Sequence, residues 1–546
     1  MEKRALIAAL LSGLVLLLWF TLFPSPKPSP TPVVATPAAG SPTGGATSTA
    51  GGPAGAPGMP GKGEPAAQPV VAGPPAARAE QGEEIPLNGD GWNAVIDSRG
   101  AVVRSLVLTG YRGENGEPLD LVSTVGPRPL TMTALGPWNH EPYVVEHNGA
   151  TVTLRWSDGQ GNWVEKDLTP GKGRYTLELE VRSGGTPGAG GVVIAVGRDH
   201  GAPKAGGFGS VGGVVRVGGK LDRLIPAKLE TPKELSGNIE FAGVEDHYFL
   251  TVLLPESPLV KVQTSAQAGT VTPVAEVAAF GSGGVVKGLL YGGPKEHRVL
   301  VGYGRGLDET LSFGLFGVLS VAFLAALRWI HSWTANWGVA IIVLTAGIRL
   351  LLFPLTHKST VAMRRMQALQ PKMKAIQERY KERAKKDPQV RARMNQEMMA
   401  LYKQEGVNPM GGCLPTLVQL PILWALYTLF ANAIELRQAP FLLWIHDLSI
   451  PDTLVTIPLG TWSFPLRPLA VLMGASMFLQ QKIAPQVGDP TQRRMFMMMP
   501  FIFTIMFYGF PSGLVLYWLV NNLLTIGQQL ITERILRNTQ TPPAAA

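Results

Sequence analysis

The chain holds 546 residues, 45% of them hydrophobic and only 16% charged, a balance that fits a membrane protein with a soluble part. Its net charge of +9 is not spread evenly: Lys and Arg crowd beside apolar segments, where lipid topology accounts for them without DNA binding. A single cysteine, Cys413, excludes an internal disulfide framework and reads as a small packing residue in an apolar segment.

Residues 1–23 place Lys3 and Arg4 before an uncharged run that ends in Trp19, Phe20 and Phe23. That run is longer than the core of a signal peptide and has no small-residue cleavage site, so it reads as an uncleaved anchor with a cytoplasmic N-terminus. Residues 24–82 are Pro, Ala, Gly, Ser and Thr with almost no large apolar side chains, the composition of a flexible tether. From 83 to 305 short alternating runs appear, among them WNAVID (92–97), AVVRSLVLTGY (101–111), ATVTLRW (150–156) and RYTLELEVRS (174–183). Gly, Pro, Asn and Asp clusters separate them, and the period of two predicts an antiparallel β-sandwich. The pairs Asp199-His200 and Asp246-His247 read as loop or capping pairs, and no metal-ligand cluster or catalytic constellation stands out. The sandwich is expected to be a docking or scaffold domain, with sugar or peptide binding the alternative.

The run LSFGLFGVLSVAFLAAL is followed by Arg328, Trp329, His331 and Trp333. Were it a span, the next one would carry residues 358–408 outward, with their thirteen Lys or Arg against five Asp or Glu. The positive-inside rule opposes that, so 306–335 is expected along the outer interface. The span 336–358, NWGVAIIVLTAGIRLLLFPLTHK, then runs inward and holds Arg349 well inside. A charge at mid-bilayer costs roughly 2.5–3.5 kcal/mol on insertion scales, and such a residue faces water or something that wants a positive charge. Residues 358–408 predict two amphipathic helices folded as a coiled-coil hairpin, with Met373, Ile376 and Tyr380 on one inner stripe and Met394, Met398 and Leu401 on the other. Further spans are expected at 411–434, 464–482, 495–510 and 514–533, with an outer loop at 435–462 and a basic inner loop at 483–494. The count is six spans with both termini inside and residues 24–335 outside.

The last five spans resemble the YidC/Oxa/Alb family of membrane protein insertases. The resemblance rests on NWG (336–338), Arg349 with FPLT (353–356), QPKM (370–373), QEMMALYKQEGVNPMGGCLP (396–415), ELRQAPFLLWIHDLS (435–449), and FPSGLVLYW followed by NN (510–522). The anchor, tether and sandwich resemble the Gram-negative layout, with its large periplasmic β-supersandwich. The resemblance implies a five-helix core, 336–534, around a water-filled groove open to the cytoplasm and to lipid, in a bacterial inner membrane protein with no cofactor and no bound metal. Its groove arginine falls on Arg349 and its polar groove position on Thr345; Gln419, Tyr517, Trp518 and Asn521 are the other groove candidates. Where the family often has two tyrosines, this chain has Tyr517 and Trp518, so any role for a second hydroxyl is open. The tail, 535–546, lacks the long basic extension of some members.

The function implied is insertion of inner-membrane proteins. A polar flank is held in the groove while the apolar segment slides along a wall including Trp424, Met498, Phe503 and Met506. The partners implied are nascent membrane proteins, the Sec translocon, anionic lipids and the ribosome, the last meeting Arg379, Lys381, Arg383, Lys385, Lys386, Arg493 and Arg494. Two alternatives remain: an accessory of a translocation complex, or a transporter of a small anion, against which the absence of an internal repeat counts. No nucleotide loop or nucleophile–base pair points to an enzyme.

Overall fold

The computed structural model describes residues 75–113, 116–197, 211–267, 274–407, 414–459, 462–484 and 490–540. The expected anchor, all but the last residues of the tether, Asp199-His200, Cys413 and the end of the tail lie outside the described residues, as do the side chains of Lys385, Lys386, Arg493 and Arg494.

The alternating runs form a β domain in which every paired strand is antiparallel. Nine strands build one sheet in the order Lys220–Leu224, Gly212–Val217, Ile239–Glu245, Phe249–Pro255, Val285–Pro294, Thr176–Gly184, Trp163–Pro170, Thr151–Ser157, Val144–Asn148. Two four-stranded sheets complete the domain, one from Glu84 to Asp120 and one combining Lys233–Leu235, Leu259–Gln267, Val274–Gly281 and Val192–Val196. Register shows how they stack. Gly213 pairs with Val244, Val244 with Thr251, and Thr251 with Gly292, so the four share one face of the large sheet. A Cβ at Gly292 would meet Leu106 of the first small sheet, and one at Gly213 would meet Thr264 of the second, each 2.7 Å away. Both small sheets therefore press on the same face, and the two glycines admit the close approach.

Leu177, Leu179, Val181 and Leu290 line that inner face and are buried. Lys166 shares it, because it pairs with Val181. Its Nζ is buried and donates to the carbonyls of Gly100, Ala101 and Leu130 at 2.8, 3.0 and 2.7 Å, bolting the first small sheet to the large one. Burial pushes its pKa down to about 7. On the opposite face Arg155 pairs with Glu146 and Glu165, Arg182 with Glu165 and Asp167, and Lys287 with Glu180.

The domain is fastened to the helices that follow. Buried Glu245 accepts from Arg223 Nε and Lys295 Nζ, both at 2.7 Å, and Arg223 also donates to the carbonyls of Glu309 and Thr310. Asp246 caps its own turn by accepting from the amides of Tyr248 and Phe249, as expected of a capping pair. His247 Nε2 donates to Ala431 O at 2.5 Å, and Arg437 Nη2 donates to Arg112 O at 2.6 Å.

Among the described residues three helical stretches are long and apolar enough to cross a membrane: Gly314–Thr334, Trp337–Ala368 and Ser512–Arg534. Leu417–Asn432 and Met497–Phe507 are shorter apolar helices. The segment expected along the interface thus forms a helix, Gly317–Thr334, whose length alone would allow a crossing. Its contacts run along the second half of Leu417–Asn432 and the turn beyond it. Ser320 Oγ donates to Ala425 O at 3.0 Å, Arg328 pairs with Glu435, and Trp329 and Trp333 stay exposed.

Several boundaries differ from expectation, the helices expected at 495–510 and 514–533 running Pro490–Phe507 and Ser512–Gln540. The arginine-bearing helix runs on to Ala368 before Pro371 restarts the chain as Gln370–Lys386. The span expected from 464 begins at Pro468, because Trp462–Leu466 is a strand paired with Val455–Leu459. Pro468 supplies the preset φ of a first helical turn, and its missing amide needs no partner there. The hairpin helices Gln370–Lys386 and Pro388–Gln404 are joined by Lys372–Glu405 at 2.5 Å, Arg379–Glu397 at 3.0 Å and a Tyr402 hydroxyl bond to Met373 Sδ at 3.2 Å. At their base Met366, Leu369 and Val407 make a small cluster separate from the main core.

Candidate functional site

The arginine-bearing helix starts where the Asn336 side chain accepts from Val339 N, and Arg349 stands twelve residues on from Trp337. At 1.5 Å per residue that is about 18 Å into the helix. The last helix, Ser512–Gln540, begins just after Pro511 and puts Tyr517 and Asn521 one turn apart on one face. Leu414–Asn432 contributes Gln419. These three helices converge on one oxygen. Arg349 Nε donates to Asn521 Oδ1 at 2.7 Å, and Gln419 Nε2 donates to the same atom at 3.4 Å. The Tyr517 side chain adds a hydrogen bond with Gln419. Asn521 and Tyr517 are buried, whereas Arg349 and Gln419 are half-buried. Among the described residues no carboxylate pairs with Arg349, so its charge is held by neutral groups alone. A charge-assisted bond fixes the guanidinium without cancelling it, leaving the cation able to attract an anionic group or hydrate a polar one.

Four of the groove candidates, Arg349, Gln419, Tyr517 and Asn521, are therefore brought together. Thr345 is not among them: it is buried, and its hydroxyl donates to Ile341 O at 2.6 Å on its own helix. Trp518 points elsewhere, into a chain of rings. Trp518 lies 5.9 Å from Phe503 and 4.9 Å from Phe507; Phe507 lies 4.9 Å from Phe510; Tyr427 lies 5.9 Å from Phe510 and 6.0 Å from Trp424. That chain takes in the wall candidates Trp424 and Phe503 and adds Tyr427, Phe507 and Phe510, which sequence reasoning missed. Met506 packs against the core beside it, while Met498 is exposed and outside it.

Sequence reasoning also missed a polar seam leading away from Arg349. Gln528 Nε2 donates to Thr356 Oγ1 at 2.6 Å, and Arg364 pairs with Glu533. The numbers rise together on both helices, so the two run parallel. The signal was present: Arg349 and Thr356 are seven residues apart, as are Asn521 and Gln528, the spacing that keeps polar residues on one helix seam. On the hairpin, Arg379, Lys381 and Arg383 are exposed, and Met373, Ile376, Tyr380, Met394, Met398 and Leu401 are half-buried.

A family sequence model described as "60Kd inner membrane protein" matches residues 329–539, and one described as "YidC periplasmic domain" matches residues 84–326. A protein named membrane protein insertase YidC from Syntrophus aciditrophicus (strain SB) is 34% identical over 569 residues, covering 97% of this chain and 99% of that one. The chain belongs to the YidC family of membrane protein insertases. A second YidC, from Pelobacter propionicus, is also 34% identical, over 98% of this chain and 100% of its own. A YidC from Nitratidesulfovibrio vulgaris (strain DP4) is 32% identical over 97% of this chain and 98% of its own. The β domain is thus the periplasmic domain of the family, and the convergence on Asn521 lies in its inner-membrane part.

Proposed function

We propose that this chain inserts membrane proteins, holding the polar flank of a hydrophobic segment beside Arg349 while the segment itself moves along the aromatic wall. The observation that carries the reading is the bond from Arg349 to a neutral amide. A cation fixed inside an apolar helix bundle, half-buried and without a carboxylate, suits transient capture of acidic or polar groups that hydrocarbon would reject. The names of the relatives, insertases matched end to end, support the same reading. Exposed Met497, Met498 and Met499, earlier on the helix that carries Phe503 and Phe507, suit varied apolar partners.

In this reading the core has five spans and the N-terminal anchor is the sixth, with both termini inside. The parallel run of the arginine-bearing helix and the last helix supports it, since both then cross outside to inside. The Gly317–Thr334 helix lies at the outer interface. Its bonds reach Ala425, in the second half of Leu414–Asn432, and Glu435 just beyond that helix, and its exposed Trp329 and Trp333 suit headgroup level. The basic hairpin meets the ribosome or anionic lipid, and the Sec translocon receives or hands over longer substrates.

The test is reconstitution of the purified chain in liposomes that contain no other protein. A single-span substrate with a short acidic outer tail is added, and protease protection of that tail is measured. Protection well above empty liposomes is expected. Background protection by folded, correctly oriented protein would overturn autonomous insertion and favour an accessory role.

A further inference from the structure

The outer loop carries a feature that the groove does not use. Val455–Leu459 and Trp462–Leu466 pair with Val455 opposite Leu466, Ile457 opposite Phe464, and Leu459 opposite Trp462. Paired residues share a face, so Val455, Ile457, Phe464 and Leu466 lie together on one apolar face of this hairpin. The other face holds Thr456 opposite Pro465 and Pro458 opposite Ser463. Neither strand contains a charge. The flanking charges turn inward. Asp452 accepts from Trp444 Nε1 and Leu469 N, both at 2.9 Å, and the Arg467 guanidinium lies 5.0 Å from the Tyr508 ring. Described side chains of the apolar face stay open, Val455 at 50%, Ile457 at 42% and Phe464 at 46%. Across the Trp444–Asp452 bond, the neighbouring loop tip exposes Leu442 and Leu443.

Three observations name the occupant. First, the hairpin runs directly into the helix Pro468–Ile483, a span in the reading proposed above, whose Val471 and Leu472 are exposed, so the apolar surface continues from strand to helix. Second, it belongs to the same outer loop whose Arg437 and Gln438 bond the β domain at Arg112 and Gly113, on the periplasmic side. Third, Pro458 and Pro465 each remove a backbone donor, which disfavours pairing with a further strand and lowers the cost of leaving an edge in a poorly hydrated layer.

We infer that this hairpin beds its apolar face in the outer leaflet of the bilayer, at the boundary of headgroups and acyl chains, as a lipid-binding surface distinct from the groove. The inference depends on the membrane placement of the helices and not on insertion activity.

The test uses the full chain with Cys413→Ser, reconstituted in vesicles of phosphatidylethanolamine and phosphatidylglycerol. A nitroxide is placed singly at Ile457→Cys, Phe464→Cys, Thr456→Cys and Ser463→Cys, all exposed positions where labelling leaves the fold intact. Collision with oxygen, which concentrates in lipid, is compared with collision with a water-soluble nickel chelate. Oxygen is expected to win several-fold at Ile457 and Phe464, and the order to reverse at Thr456 and Ser463. Nickel winning at all four positions would overturn the inference by placing the hairpin in water. Exclusion of both reagents from Ile457 and Phe464, with spin–spin broadening that fades on dilution with unlabelled chain, would overturn it by showing a second copy on that face.

Discussion

Replacing Arg349 by Gln and by Lys separates charge from shape at the centre of the site. A carboxylate brought within about 4 Å of the guanidinium gains roughly 4 kcal/mol at an effective dielectric constant of about 20. To reach it, the guanidinium gives up its 2.7 Å bond to Asn521, a charged hydrogen bond of about 1.5–3 kcal/mol. The surplus, about 1–2.5 kcal/mol, corresponds to roughly 5- to 60-fold at 1.4 kcal/mol per decade. The assay measures initial insertion rates in proteoliposomes for two versions of one single-span substrate, with an Asp/Glu flank or the same flank as Asn/Gln. Arg349→Gln is expected to cut the acidic-to-neutral rate ratio by about that factor, whereas Arg349→Lys keeps it within roughly threefold of the parent. Equal losses for both flanks in Arg349→Gln would refute the reasoning and leave Arg349 as a structural partner of Asn521.

Deleting residues 372–405 removes the helical hairpin yet spares the main core, because Met366, Leu369 and Val407 cluster apart from it; insertion should fall to background while tryptophan fluorescence and detergent-resistant folding persist, and unchanged insertion would make the hairpin a bystander. Glu245→Ala strands Arg223 and Lys295 without their buried carboxylate and should destabilise the β domain by about 3–5 kcal/mol in chemical unfolding; a loss below about 1 kcal/mol would contradict the buried network. Lys166 has a folded pKa of about 7 against about 10.4 in the unfolded chain, so the folded state binds fewer protons between those values. Stability of the β domain should therefore be greatest above the unfolded value, fall as pH drops through that window, and level off below pH 7. Lys166→Met should flatten the dependence, measured as unfolding midpoints from about pH 7 to about 10, and an unchanged slope in the variant would exclude Lys166 as its source.

What the chain discloses of this site before folding is uneven, and the reasons are physical. Arg349 was legible because a charge in an apolar run has few inexpensive explanations. Its partner was half legible: Asn521 stood out as a polar residue in a span, yet no spacing within one helix says which neighbour will meet it. Thr345 shows the opposite limit. A helical threonine can always satisfy its hydroxyl on the carbonyl four residues back, and here it does, so facing inward did not make it available. Tyr427, Phe507 and Phe510 become a wall with Trp424, Phe503 and Trp518 only where separate segments cross. In the β domain the runs near 92, 101, 151 and 176 announced their strands by alternation. The strand Lys233–Leu235, with its charged residues, carries no such signal and is defined by pairing with Leu259–Gln267. The outer hairpin had the alternation, but Pro458 and Pro465 disguised it, since proline within a run argues against a strand.

The charged face of the nine-stranded sheet has a consequence for what can meet this protein from the periplasm. Arg155, Arg182 and Lys287 each find carboxylates across the neighbouring strand, so the cations of this part of the face are already paired. There an approaching protein meets cations that already have partners, and forming a new pair means breaking an existing one. A partner of this domain is therefore expected to meet its rims and the loops beneath it before this face.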